Sequence, residues 1–401
     1  MIYEMRKFYK NPAIMILLFL ALLLSIIMPL FFIHDYESYD YSTGKEEVVQ
    51  GLDGVRLRKQ QVEKVTGVLS TEKLNDALFL YQSLPSGDEA YIQTENEYPG
   101  LFQFLKVAYS PYAGENTFLV SSISKADDYY NRNVEKLSGK IEFYGPTYLS
   151  EEETQEAFNR ASNIEKPFIY EFVDHWAIVI KSLIFVYAIL ALSAILIACQ
   201  LFSFEKEKNM AIILKVVGRN KLMGIGYKKL SAMSCYLTLK FILCSTIVSS
   251  MVFVLLGFSG WQSQIQVMPE FFTMVYNWTF GEMFIGFMFI SWMCILSIGF
   301  MGAFFNAIFQ KTYTSLIVSS LIIVPPFFMQ NSVFMPVYVR RFLSAQPING
   351  INLLSYIDSL FSYKIGSFRV LNATMIVIFA GLFIGISMLL SPIFFNKRIN
   401  Q

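Results

Sequence analysis

The chain has 401 residues, 54% of them hydrophobic and 16% charged, with a formal net charge of +1. Soluble proteins carry about 25% charged residues, so this composition argues against an ordinary soluble chain. All four cysteines (Cys199, Cys235, Cys244, Cys294) lie in apolar stretches, which excludes a disulfide framework for the polar part of the sequence.

The near-zero net charge conceals an uneven distribution. Residues 34–175 hold 25 Asp and Glu against 13 Lys and Arg, a net of −12, whereas the remaining 6 acids and 19 bases give +13. This is the pattern of an acidic, water-exposed insert within a basic membrane part. Without disulfides the insert must be held by a packed core, for which about 140 residues suffice.

In chain order, residues 13–33 form the first uncharged run long enough to cross a bilayer as a helix. Arg6, Lys7 and Lys10 precede it, as in a signal peptide. The run is too long for that, and no small-residue cleavage site follows, so it reads as a retained anchor. The insert, 34–175, reads as mostly helical. Leu74, Leu78 and Tyr81 recur at helical spacing behind the possible caps Ser70 and Thr71. Ser150 and Glu153 form a capping-box pattern ahead of Phe158 and Ala161. Residues 85–114, with three Pro, three Gly and four Tyr, read as loop or short strand.

Five further spans are predicted. The second covers 176–202, with Lys181 near one end. The third covers 233–258, with Lys240 about two turns in and close enough to an end to snorkel. The fourth covers 283–308, with Glu282 at its edge. The fifth, 314–329, is short and carries Pro325-Pro326 near its end, the pattern of a broken or re-entrant segment. The sixth, 373–395, contains Gly381-x-x-x-Gly385, which permits close helix approach either within the chain or in a dimer. Charges inside spans usually face protein or water, so Lys181, Lys240 and Glu282 are candidates for lining a pathway.

The predicted fold class is therefore a polytopic α-helical membrane protein, with six transmembrane helices and a large, mainly helical extracellular domain between helices 1 and 2. Residues 1–33 comprise an interfacial helix and the first span, 34–175 the extracellular domain, and 176–401 spans two to six with a cytoplasmic loop at 203–230. Orientation follows from Lys and Arg in the short loops. With the N-terminus inside, the cytoplasmic segments hold 13 bases and the outer loops after the second span hold four. This places the protein in the cell membrane as a multi-pass chain with both termini cytoplasmic.

The search for catalytic chemistry is largely negative. The sequence has no GxxxxGK[ST]; the nearest string, Ser138-Gly139-Lys140, lacks the upstream glycine and the following Ser or Thr. His34 and His175 are the only histidines, too few for a His-based triad or zinc site. Both flank the insert, and they read as helix-ending residues at the membrane face, with a pH-sensing pair as the alternative. The cysteines read as small apolar fillers without ligand-spaced neighbours. No catalytic residue, metal site or cofactor site is expected in this chain, and no nucleic-acid partner.

The segment 204–229, FEKEKNMAIILKVVGRNKLMGIGYKK, is the most informative. It opens on Glu205, Lys206, Glu207 and Lys208, continues with an apolar run from Met210 to Leu214, and closes on Gly218, Arg219, Lys228 and Lys229. Such a segment either lies at a membrane surface or partner groove or is an ordinary basic loop. A basic loop does not need the acids.

The order of an acid-containing exit from span two, an apolar turn, a small residue followed by Arg, and a Lys entering span three resembles the coupling-helix region of the permease subunits of type-2 ABC exporters. This includes the sodium, drug and antibiotic-peptide exporter branch. The matching positions are Glu205, Glu207, Arg219 and Lys229. Asn209 and Val216 or Val217 stand where that family often has Gly and Pro, and Gly218 stands where it has Ser. The stretch from Tyr3 to Lys10, followed by Asn11-Pro12, is similar to the family's interfacial helix, and the span pattern covers the whole chain. The resemblance implies a membrane subunit of an ATP-driven exporter that moves an amphiphilic or peptide-like substrate outward. ATP would be bound by a separate cytoplasmic ABC ATPase, and a second, identical or related permease would complete the unit in the lipid bilayer. Two alternatives stand: a membrane-anchored mechanical or sensory protein worked by a cytoplasmic ATPase, and an ion-driven secondary transporter.

Overall fold

The computed structural model describes residues 2–85, 87–112, 120, 122–145, 147–208, 219–332 and 334–400. In chain order its elements begin with α1 (Ile2–Tyr9), α2 (Pro12–His34), β1 (Glu37–Asp40), β2 (Glu47–Gln50), α3 (Gly51–Val65), β3 (Gly67–Val68) and α4 (Thr71–Ser83). Next come α5 (Asp88–Glu97), α6 (Leu101–Tyr109), α7 (Arg132–Tyr144), α8 (Glu151–Ser162), β4 (Ile169–Tyr170) and α9 (Asp174–Ala198). The remainder is α10 (Phe204–Glu207), α11 (Arg219–Leu256), α12 (Phe280–Phe309), α13 (Thr312–Ile323), α14 (Pro325–Met329), α15 (Val337–Ser344), α16 (Leu353–Ile357), β5 (Ser362–Ile365), β6 (Phe368–Leu371) and α17 (Asn372–Asn400).

The protein is mostly helical, at 72%. Among the described residues, six segments are long and apolar enough to cross a membrane: Pro12–His34, Asp174–Ala198, Leu222–Leu256, Phe280–Phe309, Thr312–Met329 and Asn372–Ile399. A hydrocarbon core needs about 20 apolar residues in helix, so the architecture fits a polytopic helical membrane protein. The fifth segment is interrupted where the Pro325-Pro326 pair stands. α13 stops at Ile323 and α14 starts at Pro325, because neither proline supplies an N–H to continue the ladder.

The chain divides into two units. One comprises Met1–Met28, Ser182–Ser249 and Gly286–Gln401; the other comprises Pro29–Lys181 and Ser250–Ile285. The first unit contains a buried non-helical segment after α15. Pro347–Ile351 forms a short 3-10 turn. At Gly350 a Cβ would lie 2.4 Å from Cys294 Sγ and 2.9 Å from Ile376, so only glycine fits against α12 and α17 here. Ser291 Oγ donates to the Gly350 carbonyl at 3.0 Å. The last carbonyls of α15 are taken by Tyr363 Oη on Arg341 (2.7 Å) and Asn349 Nδ2 on Leu343 (2.7 Å). Irregular backbone in a membrane protein persists where protein buries and satisfies it in this way.

The second unit has a helical core and, among the described residues, two two-stranded antiparallel pairings: β1–β2, with Glu37 opposite Gln50, and β3–β4, with Gly67 opposite Tyr170. Leu74, Ala77, Leu78 and Tyr81 of α4 are all buried. Tyr81 packs on Phe102 of α6 with ring centroids 4.5 Å apart. Ser70 Oγ accepts from Lys73 N at 3.3 Å, and Ser150 with Glu153 makes the full reciprocal box at the start of α8.

Residues 85–112 differ from the loop or short strand expected there: they hold α5 and α6. The Pro and Gly residues punctuate this stretch without dissolving it. Pro99-Gly100 separates the two helices. Gly100 has φ of +81°, and a Cβ there would meet Tyr170 Oη at 2.5 Å. Leu101, Phe102, Leu105 and Ala108 then form the buried face of α6. Segment 250–285, expected as parts of two spans and a short loop, packs in the same unit as the insert. Gln264 Oε1 accepts from Ile169 N at 2.9 Å, Asn277 Oδ1 accepts from Glu165 N at 3.1 Å, and Phe272 stacks 5.8 Å from Tyr129.

Candidate functional site

The site is built where α9 ends. After Ala198 the chain turns tightly through 199–203 into α10, and the last carbonyls of a helix need partners there. The turn's own amides take them (Cys199 N on Ile195, Gln200 N on Ile197, Leu201 N on Ala198), and the fully buried Asn306 of α12 bonds the turn itself. Its Oδ1 accepts from Phe202 N (2.6 Å) and Ser203 N (3.0 Å), while its Nδ2 donates to the Cys199 carbonyl and to Ser315 Oγ (3.1 Å). Lys229 Nζ donates to the Leu201 carbonyl at 2.7 Å. One amide and one ammonium thus tie the end of α9 to α11, α12 and α13.

The charges lie against this turn. Glu205 Oε1 accepts from Lys229 Nζ at 2.6 Å and from Lys7 Nζ at 2.7 Å. Lys7 also pairs with Glu4 at 2.9 Å, and Glu4 stands 3.8 Å from Lys229. The Lys229 side chain is 1% exposed and that of Glu205 7%. Two carboxylates and two ammoniums leave the cluster neutral, so each buried charge has an opposite partner to offset its desolvation. Burial pushes the Glu205 carboxyl up, but the Lys229 charge and the hydrogen bonds from Lys229 and Lys7 outweigh it and hold it below the usual carboxylate range. For Lys7, burial acts downward, and the bonds to Glu205 and Glu4 win and raise it. The other carboxylate oxygen, Glu205 Oε2, is buried without a hydrogen-bond partner among the described residues.

Three apolar contacts fix the same region. Phe8 and Tyr9 of α1 pack on Tyr236 of α11, tilted at 5.3 Å and edge-on at 5.5 Å. Phe202 packs 4.9 Å from Phe395 of α17. At Gly226 a Cβ would approach Pro392 Cβ to 3.0 Å, so α11 and α17 meet closely there. Asn11 Nδ2 also donates to Gln200 Oε1.

Glu207 has a different task. Its Oε1 accepts from Thr312 N (2.8 Å) and its Oε2 from Thr312 Oγ1 (3.0 Å). Thr312 opens α13, whose N-cap residue, Lys311, makes no side-chain cap. Glu207 therefore caps α13 from another segment, where the helix dipole also favours a negative charge. Ser203 Oγ and Thr312 Oγ1, 2.8 Å apart, close the joint.

Of the four positions expected to act in coupling, Glu205 and Lys229 are brought together, and Glu207 sits two residues on, facing α13. Arg219 begins α11, with its side chain outside the described residues. The apolar run from Met210 to Leu214 and Gly218 also lies outside them. Lys229, expected within the loop at 203–230, is on a helix: α11 begins at Arg219, well before the expected start at 233.

The three pathway candidates have separate surroundings. Lys240 is midway along α11, 3% exposed, donating to Ser193 Oγ at 2.7 Å. Its ammonium is thus bonded inside the protein, to α9, rather than extended to a helix end as a snorkelling lysine would be. Glu282 is a cap: its Oε2 accepts from Thr279 N (3.0 Å) and its N donates to Thr279 Oγ1 (3.2 Å), a reciprocal capping box at the start of α12. Lys181 is exposed on α9 at the rim of a small cavity. His34 is exposed at the end of α2, whereas His175 is fully buried. His175 stacks on Phe172 and lies tilted against Trp176, both at 5.3 Å.

No protein-family model, no curated protein and no solved structure matches the chain.

Sequence reasoning did not single out Asn306, Thr312 or Ser315. A signal for Asn306 existed, since it is the only amide side chain in the apolar stretch 280–309. The Thr279-x-x-Glu282 spacing was likewise readable as a capping box.

Proposed function

We propose that this chain is the membrane subunit of an ATP-driven exporter of the type-2 ABC kind, energised by a separate cytoplasmic ATPase and paired with a second permease. The observation that supports this most is the neutral charge cluster of Glu4, Lys7, Glu205 and Lys229 joined to the Asn306 knot. Through it, a force applied to the segment after α9 reaches α1, α11, α12, α13 and α17 together. A coupling site must deliver such a force to several membrane helices at once, while an ordinary basic loop has no use for a buried, stoichiometrically balanced set of charges. Both termini and the 204–229 segment are cytoplasmic in this reading and 34–175 is extracellular, in keeping with the 13-to-4 distribution of bases. The cargo is amphiphilic or peptide-like.

The test is Lys7→Gln in the full chain, reconstituted with the ATPase that accompanies it. Lys7 is half-buried, and its loss leaves the Glu205–Lys229 pair at 2.6 Å in place. Membrane level and ATPase binding should stay normal while substrate-stimulated ATP turnover falls about tenfold, an effect of about 1.4 kcal/mol. Unchanged stimulation would remove the cluster from the coupling path.

A further inference from the structure

A cavity of about 290 Å³ opens in the unit formed by Pro29–Lys181 and Ser250–Ile285, where α2 ends and α9 begins. Its floor is apolar, with Ile178 and Met268 both buried, and its rim carries the exposed Asp35, Glu37, Glu270 and Lys181, of which Glu37 already accepts from Gln50 Nε2 at 2.8 Å. Asp174 also borders it, but its charge is already answered by Tyr36 Oη at 2.6 Å and by Arg58 Nε at 3.7 Å. The side chains of Asp35, Glu270 and Lys181 make no hydrogen bond or ion pair among the described residues.

The order of these groups along the helices is informative. Asp174, Ile178 and Lys181 share one face of α9 by their spacing. Lys181 stands seven residues, about 10 Å, further into the apolar helix than Asp174. Asp35 directly follows the last residue of α2. From the helix ends inward, the cavity therefore presents acid, then apolar surface, then base. A purely cationic amphiphile would be repelled by Lys181, and an anionic lipid by the two acids. A zwitterionic phospholipid headgroup carries its ammonium outermost and its phosphate beneath, beside the glycerol, so it satisfies both charges in that order. The acids favour an ammonium that can donate hydrogen bonds, since charge-assisted bonds are the strong ones, and a quaternary ammonium has none to give.

We propose that this cavity binds the headgroup of a zwitterionic aminophospholipid of the phosphoethanolamine type. Asp35 and Glu270 take the primary ammonium, Lys181 the phosphate, and Ile178 and Met268 the start of the acyl region. The inference requires only that α2 and α9 cross a bilayer, and it stands apart from the ATP-driven reading.

The test is native mass spectrometry of the full chain in detergent, titrated with lipids of matched chains: phosphatidylethanolamine, phosphatidylcholine, phosphatidylglycerol and a long-chain primary amine without phosphate. The expected result is retention of phosphatidylethanolamine about tenfold above the others, the size of one charge-assisted bond. Asp35→Asn with Glu270→Gln should bring it to the phosphatidylcholine level. Lys181→Gln should weaken it and improve retention of the long-chain amine. All three positions are exposed, so folding is retained, and an unchanged thermal midpoint verifies this. Phosphatidylglycerol retained as well as phosphatidylethanolamine, amine retained equally by the wild type, or a preference untouched by the substitutions would each overturn the assignment.

Discussion

A lysine that is 1% exposed keeps its charge only with partners, and Lys229 has Glu205 and the Leu201 carbonyl. Glu205→Gln should therefore cost about 3–5 kcal/mol in the thermal or denaturant stability of the full chain, the usual result of stranding one member of a buried pair. Adding Lys229→Met should recover part of that loss, because the stranded charge is then gone. A double variant as unstable as the sum of the singles would contradict the pairing. The same cluster sets a pH window. Glu205 is depressed in the folded chain, so its contribution is present above the unfolded value of about 4.3 and is lost as pH falls through the folded one. Lys7 is raised, so its contribution is present below about 10.4 and is lost as pH rises through its folded value. Thermal midpoints should thus be flat between these limits and decline outside both. Glu205 and Lys229 were legible as unusual residues in one loop, because acids are not needed among topogenic bases. Their partnership with Lys7 was not legible, since it joins positions 198 apart in sequence.

At the level of helices, the apolar runs were read directly from composition, since burial in lipid demands long uncharged segments. Helix ends were not, because polar residues extend a helix without altering hydropathy. α11 starts at Arg219 rather than near 233 for this reason, which carries Lys229 into the helix and Lys240 to its middle. The two kinds of glycine were also indistinguishable in sequence. Gly226 lies against Pro392 at 3.0 Å, whereas a Cβ at Gly381 or Gly385 would meet nothing within 4 Å. Gly226→Val should lower stability by about 1–3 kcal/mol through overpacking, and Gly381→Val should stay within about 0.5 kcal/mol. Equal losses in detergent unfolding would contradict the α11–α17 contact. The Gly381-x-x-x-Gly385 pattern therefore makes no close approach to another described helix of this chain.

For the whole chain, the division into an acidic insert and a basic apolar part was legible from charge alone, but the insert's partners were not. Ile169, Glu165 and Tyr129 bond or stack with Gln264, Asn277 and Phe272, from a segment 95 to 143 residues away. A fragment covering 36–170 should therefore be less stable than the insert in the full chain, with Ile169 and Glu165 amides exchanging hydrogen faster; equal protection would show that the insert folds alone. Topology is tested with Ser122→Cys and Lys208→Cys: an impermeant thiol reagent on intact cells should label the first and spare the second. The most direct measurement of the central claim is ATP hydrolysis in vesicles that hold the intact chain purified from its native membrane together with whatever subunits it carries. The account predicts steady ATP turnover together with a stoichiometric P-loop subunit identified by mass spectrometry. A pure, folded, full-length chain with neither turnover nor such a subunit would contradict it.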